Sequence, residues 1–376
     1  MNASSVTLQK KADLVGSFLR PERLKTARAD YESGKITLEE LTKTEDEEIL
    51  KIIAKQKELG YTTVSDGEFR RSYWHLDFFW GFEGVEHVKM EQGYLFHDEE
   101  TRNDSARLRG KLRFTKDHPF LVHYQFLKDH AGEGAEARMS IPSPAQFYAE
   151  LVRGTNEKRL HEIYPDKEEL IEDLSKAYNA AIRAFYDLGC RDLKLDDCTW
   201  GMLCDTNFWT TMAGKDFDTK ELETLYLKLN NKALENLPAD LKLSTHVCRG
   251  NYHSTWATSG GYEPVAETLF AKENVDTYFL EFDDHRSGNF EPLRFVPKNK
   301  KVVLGLITSK QPQLEDKEAI KKRIHEASQY VDLDRLALSP QCGFASTEEG
   351  NILTEKDQWK KMALVKEISK EVWGND

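Results

Sequence analysis

The feature that most constrains the fold of this chain is a regular alternation of short β-rich apolar runs with longer helical patterns. A strand followed by a helix, repeated about eight times, predicts an α/β protein with a (β/α)8 (TIM) barrel. Residues 168–188 and 220–237 are the clearest predicted helices, and the first of them stops at a Leu-Gly pair, as expected before a strand. The predicted strands are residues 13–17, 62–66, 138–142, 192–196, 241–247, 277–282, 301–306 and 336–340.

One segment interrupts the alternation, at about residues 82–126. It is polar and charged, and its stretches GYLFHDEE and RLRGKLRFT are more typical of hairpin strands than of helix. We therefore predict a polar, hairpin-like insertion after the second strand, and one interpretation is a flap beside the active site. No Pro/Gly/Ser-rich linker divides the chain, so we predict a single catalytic domain over residues 1–376.

Composition excludes several classes of function. The net charge is −12, from 65 acidic and 53 basic residues, which argues against nucleic-acid binding because that usually needs a basic face. No apolar run approaches the roughly 20 residues of a membrane span, and the N-terminus lacks the pattern of a signal peptide. Five cysteines, an odd count in a long chain, do not suggest a disulfide framework. We expect a cytoplasmic protein with small-molecule substrates.

Polar residues gather at or just beyond the C-terminal ends of the predicted strands. In a (β/α)8 enzyme this end of the barrel carries the active site. A doubly wound sheet would also bind ligands there, but the GxGxxG and Walker A motifs of such folds are absent. The residues concerned are Ser17, Glu68, Asp196, Asp197, His246, Cys248, Glu281 and Cys342.

Four of these residues form a candidate zinc site. THVC places His246 and Cys248 two residues apart on a predicted strand, so both side chains point the same way. Glu281 ends the next strand, and Cys342 follows the last one. Two thiolates, an imidazole and a carboxylate make a tetrahedral donor set suited to Zn²⁺.

A competing interpretation treats the cysteines as packing residues. An H-x-C pair also arises by chance, and free cysteine is a common small core residue. We predict this core role for Cys190, whereas Cys198 and Cys204 follow strand four and could be incidental thiols in a pocket wall.

A zinc ion with two thiolate ligands would suit a further thiolate better than a hydroxide, and would lower the pKa of a substrate thiol from about 8.5.

Six motifs resemble, in order, the C-terminal catalytic half of the cobalamin-independent methionine synthases. They cover most of the chain: LVGSFLRP, VSDGEFRR, LKLDDC, STHVCRGNY, FLEFDD and LSPQCGFAS. The resemblance implies a (β/α)8 barrel, catalytic Zn²⁺ and transfer of a methyl group to the sulfur of homocysteine. It matches His246, Cys248, Glu281 and Cys342 to the zinc ligands. The long enzymes carry a second, N-terminal barrel, so this chain resembles a stand-alone catalytic half.

The same resemblance implies a homocysteine pocket. Val15, Gly16 and Ser17 match the backbone and hydroxyl that hold the carboxylate, while Glu68 and Asp196 match the acids that hold the ammonium group. Two carboxylates around one ammonium would orient the amino acid so that its sulfur reaches the metal. Without the resemblance the two acids are ambiguous, because acids at strand ends also cap helices.

The departures from the family lie on the methyl-donor side. Lys310, in GLITSKQPQ, stands at or near a family histidine that assists proton delivery, and Tyr148 replaces a tryptophan of the folate pocket. Lys310 is either a surface lysine or a group that binds an anionic donor or acts as an acid. The aromatic residues of WHLDFFW, residues 74–80, are either core or pocket wall. The donor therefore stays open between 5-methyltetrahydrofolate and another carrier such as a corrinoid protein.

Two other functions fit parts of the pattern. Related stand-alone barrels alkylate other thiols, such as coenzyme M, but such a substrate would not need Glu68 and Asp196 for an ammonium group. A non-catalytic zinc-binding protein would hold its metal with four permanent protein ligands. The leading prediction is a zinc-dependent methyltransferase of methionine biosynthesis.

Overall fold

The computed structural model describes residues 10–207 and 218–374, in which short strands alternate with helices. The strands are β1 (Thr63–Val64), β2 (Glu83–Lys89), β3 (Asp104–Arg113), β4 (Glu136–Ala137), β5 (Met139–Pro142), β6 (Asp192–Asp197), β7 (Lys242–Val247), β8 (Asn251–Tyr252), β9 (Thr255–Trp256), β10 (Thr277–Glu281), β11 (Lys301–Ile307) and β12 (Leu336–Pro340). The α-helices are α1 (Glu22–Glu32), α2 (Leu38–Glu58), α3 (Leu76–Phe79), α4 (Pro119–Ala131), α5 (Pro144–Leu151), α6 (Asn156–Ile163), α7 (Lys167–Asp187), α8 (Thr199–Leu203), α9 (Thr219–Ala233), α10 (Ala266–Lys272), α11 (Lys317–Ala327) and α12 (Glu355–Trp373).

The predicted (β/α)8 barrel is confirmed. Six strands form a parallel sheet in the order β12-β11-β10-β7-β6-β5, and their bounds agree with the predicted ones within one residue. β1 pairs in parallel with β4, directly before β5. The first predicted strand joins the other edge, where Ala12 bridges Leu338 of β12. The hydrogen bond from Phe18 N to Gly67 O, 3.1 Å, links the first segment to the end of the second.

The first two predicted strands are shorter than expected. Residues 13–17 lie beyond the single bridge at Ala12, and the second strand is only Thr63–Val64. Gly16, in the first segment, has φ 144°, and Gly67 and Glu68, directly after the second, have φ 66° and 62°. Ser65, which follows β1, bonds through its backbone N and O to the side chain of Gln56. These positive φ values are incompatible with continued strand pairing. They end both strands beside the residues predicted to bind substrate.

The insertion after the second strand is a hairpin, but its strands differ from the prediction. β2 pairs with β3 in antiparallel fashion, so RLRGKLRFT lies largely in a strand as expected. GYLFHDEE is a loop rather than a strand, because side chains take its backbone donors: Gly93 N donates to Glu100 Oε1 (2.8 Å) and Tyr94 N donates to Thr101 Oγ1 (2.9 Å). The last residues of the predicted insertion belong to helix α4.

Helices cover the outside of the barrel. Asp166 caps the N-terminus of α7, because its side chain accepts from Glu168 N. The helix buries an apolar stripe that includes Leu174 and Ile182. It ends at Gly189 with φ 98°, as the sequence predicts. α9 ends four residues before the predicted 237, ahead of a turn with positive φ at Asn236. Among the described helices, none is both long and apolar enough to cross a membrane.

The barrel interior is unusually polar at its base. Along β6, Leu193 and Leu195 belong to the core between the sheet and the helices. Lys194 and Asp196 alternate with them and therefore lie on the side of the barrel interior. At the base, Arg138 donates to Asp13 Oδ1 at 2.7 Å and to Asp192 Oδ1 at 2.8 Å. All three groups are buried. A single arginine therefore hydrogen-bonds to two carboxylates and joins three strand segments.

One hydrophobic cluster contains residues from Ala12 to Ile368. Its members come from both ends of the described chain and from most of the helices between them. This continuity is what a single domain requires, and the single domain over residues 1–376 stays a prediction.

Replacing Arg138 should destabilise the protein far more than replacing an arginine in an exposed ion pair. In Arg138→Gln, Asp13 and Asp192 stay buried without their cation, and we expect the free energy of unfolding to fall by about 3–5 kcal/mol. Arg294→Gln removes an exposed pair with Glu263 and should cost less than about 1 kcal/mol. Urea denaturation followed by circular dichroism compares the variants, and equal losses would contradict the structural role of Arg138.

Candidate metal and substrate site

A cavity of about 630 Å³ lies at the C-terminal ends of the barrel strands. Its volume is in the range of small-molecule sites. Residues at the strand ends, including Ser17 and Asp196, form part of its lining, and the loop 90–96 of the insertion forms another part. The insertion therefore lies beside the site, where a flap was expected.

The four predicted metal ligands converge on this cavity. One donor atom from each of His246, Cys248, Glu281 and Cys342 lies within 4.8 Å of the others, and all four residues are buried. The sulfurs of Cys248 and Cys342 are 3.8 Å apart. Two Zn–S bonds of about 2.3 Å at a tetrahedral angle would separate their sulfurs by about 3.8 Å. The spacing of the thiols therefore fits one zinc ion.

The carboxylate of Glu281 provides a second test of the fit. Its Oε1 is buried without a hydrogen-bond partner and lies 3.6 Å from His246 Nε2. Buried carboxylate oxygens are rarely left unpartnered, and a cation between these groups would supply the missing interaction. The donor set, its burial and this free oxygen together suit a metal ion.

Hydrogen bonds set the protonation of the cluster when no metal is bound. Burial opposes a charge on His246, but its contacts with Asp196 and Glu281 outweigh burial and raise its pKa to about 10. Hydrogen bonding with Cys198 and burial raise the pKa of Cys248, and the contact with Cys248 raises that of Cys342. The metal-free cluster therefore carries protons that a metal ion must displace.

Asp196 connects the cluster to the rest of the cavity. Its Oδ1 lies 3.1 Å from His246 Nδ1 and 3.8 Å from Lys194 Nζ. A carboxylate on Nδ1 orients the imidazole so that Nε2 is the nitrogen available to a metal; in this structure Nε2 lies 3.1 Å from Gln341 O. Asp197, the next residue, accepts instead from Asn230 of α9 at 3.0 Å, so it stabilises the packing of that helix.

Glu68 is strained and incompletely bonded. Its φ of 62° is costly for a residue other than glycine, and such strain is concentrated at functional sites. Oε1 accepts from Ser140 Oγ at 3.2 Å and lies 3.3 Å from Arg71, while Oε2 is buried without a partner. Burial raises the pKa of Glu68, and Arg71 opposes the shift. The free oxygen belongs to a residue of the cavity wall, where it can accept from an ammonium group.

The predicted carboxylate-binding segment lies beside Glu68. Val15 and Ser17 line the cavity, and Ser17 Oγ accepts from Ala345 N at 3.3 Å. Gly16 holds the turn, since its carbonyl accepts from Ser65 Oγ at 2.6 Å. Sequence reasoning did not identify Gly343, whose lack of a side chain leaves room for Ser17. A Cβ at this position would lie 1.8 Å from Ser17 Oγ. Its place directly after Cys342 was the available signal.

The two donor-side predictions have different surroundings. Lys310 is 8% exposed and pairs with Asp283 at 2.5 Å, so the interpretation as a surface lysine is wrong. Tyr148 packs near Tyr226, with ring centroids 6.5 Å apart. Tyr226 lines the cavity, but neither Lys310 nor Tyr148 is among the described residues that do. Their roles toward a donor stay predictions.

The other cysteines separate into core and wall. Cys190 is fully buried in the hydrophobic core, as predicted. Cys198 lines the cavity and packs against Cys248 and Cys342. Cys204 donates to Trp200 O at 3.3 Å and belongs to the main core. Of the two thiols that follow strand four, Cys198 is therefore the pocket-wall residue.

The aromatic residues of the segment 74–80 include both cavity-wall and core residues. Trp74 and His75 line the cavity, whereas Phe78 and Phe79 are completely buried in the core. His75 Nε2 lies 2.9 Å from Tyr94 Oη.

Tyr94 and its partners form a wall that sequence reasoning missed. Tyr94 Oη donates to Glu150 at 2.5 Å, and Glu150 accepts from Arg153 at 3.1 Å. All three residues line the cavity. They belong to the insertion loop, to α5 and to the turn after it rather than to a strand end, so the barrel pattern did not single them out.

Comparisons with known proteins identify the family of this chain. Residues 223–363 match the family model for the catalytic domain of the cobalamin-independent synthases. The chain is 48% identical over 364 residues to YxjH of Bacillus subtilis strain 168, covering 96% of this chain and 94% of YxjH.

Two solved structures have the same fold. The crystal structure of a putative vitamin-B12-independent methionine synthase from Listeria monocytogenes is 39% identical, with a TM-score of 0.76, covering 98% of this chain and 100% of that one. A B12-independent methionine synthase from Shewanella sp. W3-18-1, in complex with selenomethionine, has a TM-score of 0.71 at 19% identity, covering 98% of both chains. This chain belongs to the cobalamin-independent methionine synthase family and is a methyltransferase of the methionine synthase type.

Proposed function

We propose that this protein is a zinc-dependent methyltransferase that transfers a methyl group to the thiol of homocysteine and forms methionine. The observation that carries the proposal is the buried cluster of His246, Cys248, Glu281 and Cys342 beside a cavity. Zn²⁺ held by these residues would bind the substrate thiol, lower its pKa and keep it nucleophilic at neutral pH.

The residues around the cluster orient the amino acid. Glu68 and Asp196 accept from its ammonium group, and Ser17 and the backbone near Val15 bind its carboxylate. Charge-assisted hydrogen bonds of this kind are stronger than neutral ones. Holding both ends of the zwitterion fixes the direction of its side chain toward the cysteine cluster, which lowers the entropic cost of the reaction.

Two observations favour this function over the alternatives. A thiol without an amino group, such as coenzyme M, would leave the free oxygen of Glu68 without a partner. A purely structural metal site would be closed by its protein ligands, whereas His246, Cys248 and Cys342 line the cavity. The methyl donor is 5-methyltetrahydrofolate or another methyl carrier.

Loss of the charge on Glu68 should weaken homocysteine binding specifically. A hydrogen bond to a charged group contributes about 1.5–3 kcal/mol, so we expect Glu68→Gln to raise the homocysteine KM about 10- to 150-fold. Glu86→Gln, in the insertion hairpin and outside the cavity wall, where Glu86 pairs with Arg107, serves as the control. 4-Mercaptobutyrate lacks the amino group, so its KM should be similar in the Glu68→Gln variant and the unmodified enzyme. An unchanged homocysteine KM in Glu68→Gln would exclude the assignment.

Removal of one cluster thiol should abolish metal binding. We expect Cys342→Ala to lose most of its bound zinc and Cys204→Ala, a buried thiol outside the cluster, to retain it, as measured by elemental analysis. In the cobalt-substituted protein, homocysteine should strengthen the sulfur-to-cobalt absorption because a further thiolate joins the metal. A spectrum that homocysteine leaves unchanged would support a non-catalytic metal site instead.

Metal affinity should rise with pH. The pKa values of Cys248 and Cys342 lie well above the usual value for a thiol, and that of His246 is about 10. All three groups are therefore protonated near neutral pH, and metal binding must release their protons. We expect the logarithm of the zinc association constant to rise by about two to three for each pH unit between pH 6 and 8. Competition with a chelator measures it, and a flat profile would contradict this protonation state.

A further inference from the structure

Lys194, on β6, is a fully buried lysine inside the barrel. Its ammonium group makes no hydrogen bond within residues 10–207 and 218–374. The Nζ atom lies 3.8 Å from Asp196 Oδ1, which is too far for a hydrogen bond. A buried ammonium group without hydrogen bonds is costly, so Lys194 does not stabilise the fold in the way that Arg138 does.

The other buried lysines of the described chain have polar partners. Lys300, for example, donates to Phe270 O at 3.2 Å and to Tyr278 Oη at 2.9 Å. An oxygen atom of the protein accepts from the Nζ atom of each of these lysines, which are Lys11, Lys300, Lys310 and Lys361. Lys194 is the exception among the described residues, and an unsatisfied buried charge is expected where a protein binds a ligand.

The ammonium group of Lys194 lies behind the segment proposed to bind the substrate carboxylate. A Cβ built on Gly16 would lie 3.6 Å from Lys194 Nζ, so this group is next to the backbone of Gly16. Val15 and Ser17, on either side of Gly16, line the cavity, whereas Lys194 is not among the described residues of its wall. The backbone N–H groups and the hydroxyl of the segment are neutral donors, and Lys194 adds a full positive charge behind them.

This positive charge offsets the acids proposed to bind the substrate ammonium. Glu68 and Asp196 both line the cavity and would repel a carboxylate bound beside them. Each has a buried cation close to it: Arg71 lies 3.3 Å from Glu68, and Lys194 lies 3.8 Å from Asp196. With two acids and two cations, the pocket suits a thiol that carries both an ammonium group and a carboxylate. Loss of Lys194 would leave one negative charge in excess and favour a cationic thiol.

Binding of the carboxylate and the charge of Lys194 support each other. Burial lowers the pKa of Lys194, whereas the charges of Asp196 and Glu68 oppose this shift and that of Arg138 adds to it. A carboxylate bound at Gly16 would raise the pKa, because a nearby negative charge stabilises the protonated amine.

We propose that Lys194 determines the specificity of the pocket for a thiol that carries a carboxylate as well as an ammonium group. The inference rests on the proposed binding of homocysteine, and it concerns a residue that does not touch the substrate. Lys194 acts through its charge, behind Gly16 and beside Asp196, and takes part in no bond-making step.

Binding of three thiols to the cobalt-substituted protein tests the inference without a methyl donor. Homocysteine carries both charged groups, 3-amino-1-propanethiol lacks the carboxylate, and 4-mercaptobutyrate lacks the ammonium group. The sulfur-to-cobalt absorption gives a dissociation constant for each thiol. We expect Lys194→Met to weaken homocysteine and 4-mercaptobutyrate about 10- to 100-fold. 3-Amino-1-propanethiol should bind this variant as tightly as it binds the unmodified protein, or more tightly.

Two further variants serve as controls. Lys194→Gln keeps a hydrogen-bond donor without the charge, so it should behave as Lys194→Met does, and it carries the test if the methionine variant does not fold. Lys300→Met removes a buried lysine directly before β11, at the opposite end of the barrel from the site, and should leave the preference among the thiols unchanged. Because the thiols are compared within one variant, a change in metal affinity affects all three alike.

The outcomes separate this inference from the proposed function. A cobalt spectrum that none of the thiols changes in the unmodified protein would contradict the proposed function and, with it, the basis of the inference. If homocysteine does bind, equal affinities for homocysteine and 3-amino-1-propanethiol in the unmodified protein would overturn the role of Lys194. An unchanged preference in Lys194→Met or Lys194→Gln would also overturn it, and an equal loss of all three thiols would assign Lys194 a packing role instead.

Discussion

The register between β6 and β7 is the constraint on which the site depends. It places Asp196 directly beside His246 on the neighbouring strand, and their side chains lie 3.1 Å apart inside the barrel. Because side chains alternate between the two faces of a strand, a shift of one residue would turn one of them toward the helices. The same ladder continues from His246 to Phe279 on β10, two residues before Glu281. His246 and Glu281, two of the proposed metal ligands, and Asp196, one of the proposed substrate-binding acids, are thus held by one hydrogen-bonded sheet.

The buried polar groups of the barrel differ in their hydrogen bonding between the base and the mouth. At the base, Arg138 satisfies the carboxylates of Asp13 and Asp192 completely, as a buried charge requires. At the mouth, Glu68 Oε2 and Glu281 Oε1 have no partners, and Glu68 has a strained backbone. Unsatisfied groups and strain are expected where a protein binds ligands and are costly elsewhere. The stable base therefore supports a mouth whose unsatisfied polar groups are consistent with the proposed metal ion and substrate.

The acceptor and donor sides of the cavity come from different parts of the fold. The acceptor side consists of strand ends, which the barrel holds rigidly. The proposed donor side is built by Trp74 and His75, the insertion loop and α5, and Tyr94 and Glu150 join the last two. Loops of this kind vary more readily than barrel strands.

Much of the fold and of the acceptor site could be predicted from the sequence. Strand-helix alternation determined the barrel, and the i, i+2 spacing of His246 and Cys248 determined that they point the same way, because both patterns depend only on local periodicity. The tertiary structure decided what depends on distant contacts. The positive φ of Glu68, the burial of Lys310 against Asp283, and the packing of Trp74 against the cysteines all arise from contacts between segments far apart in the chain. Local sequence patterns carry no record of such contacts, so the donor side of the cavity emerged only from the folded structure.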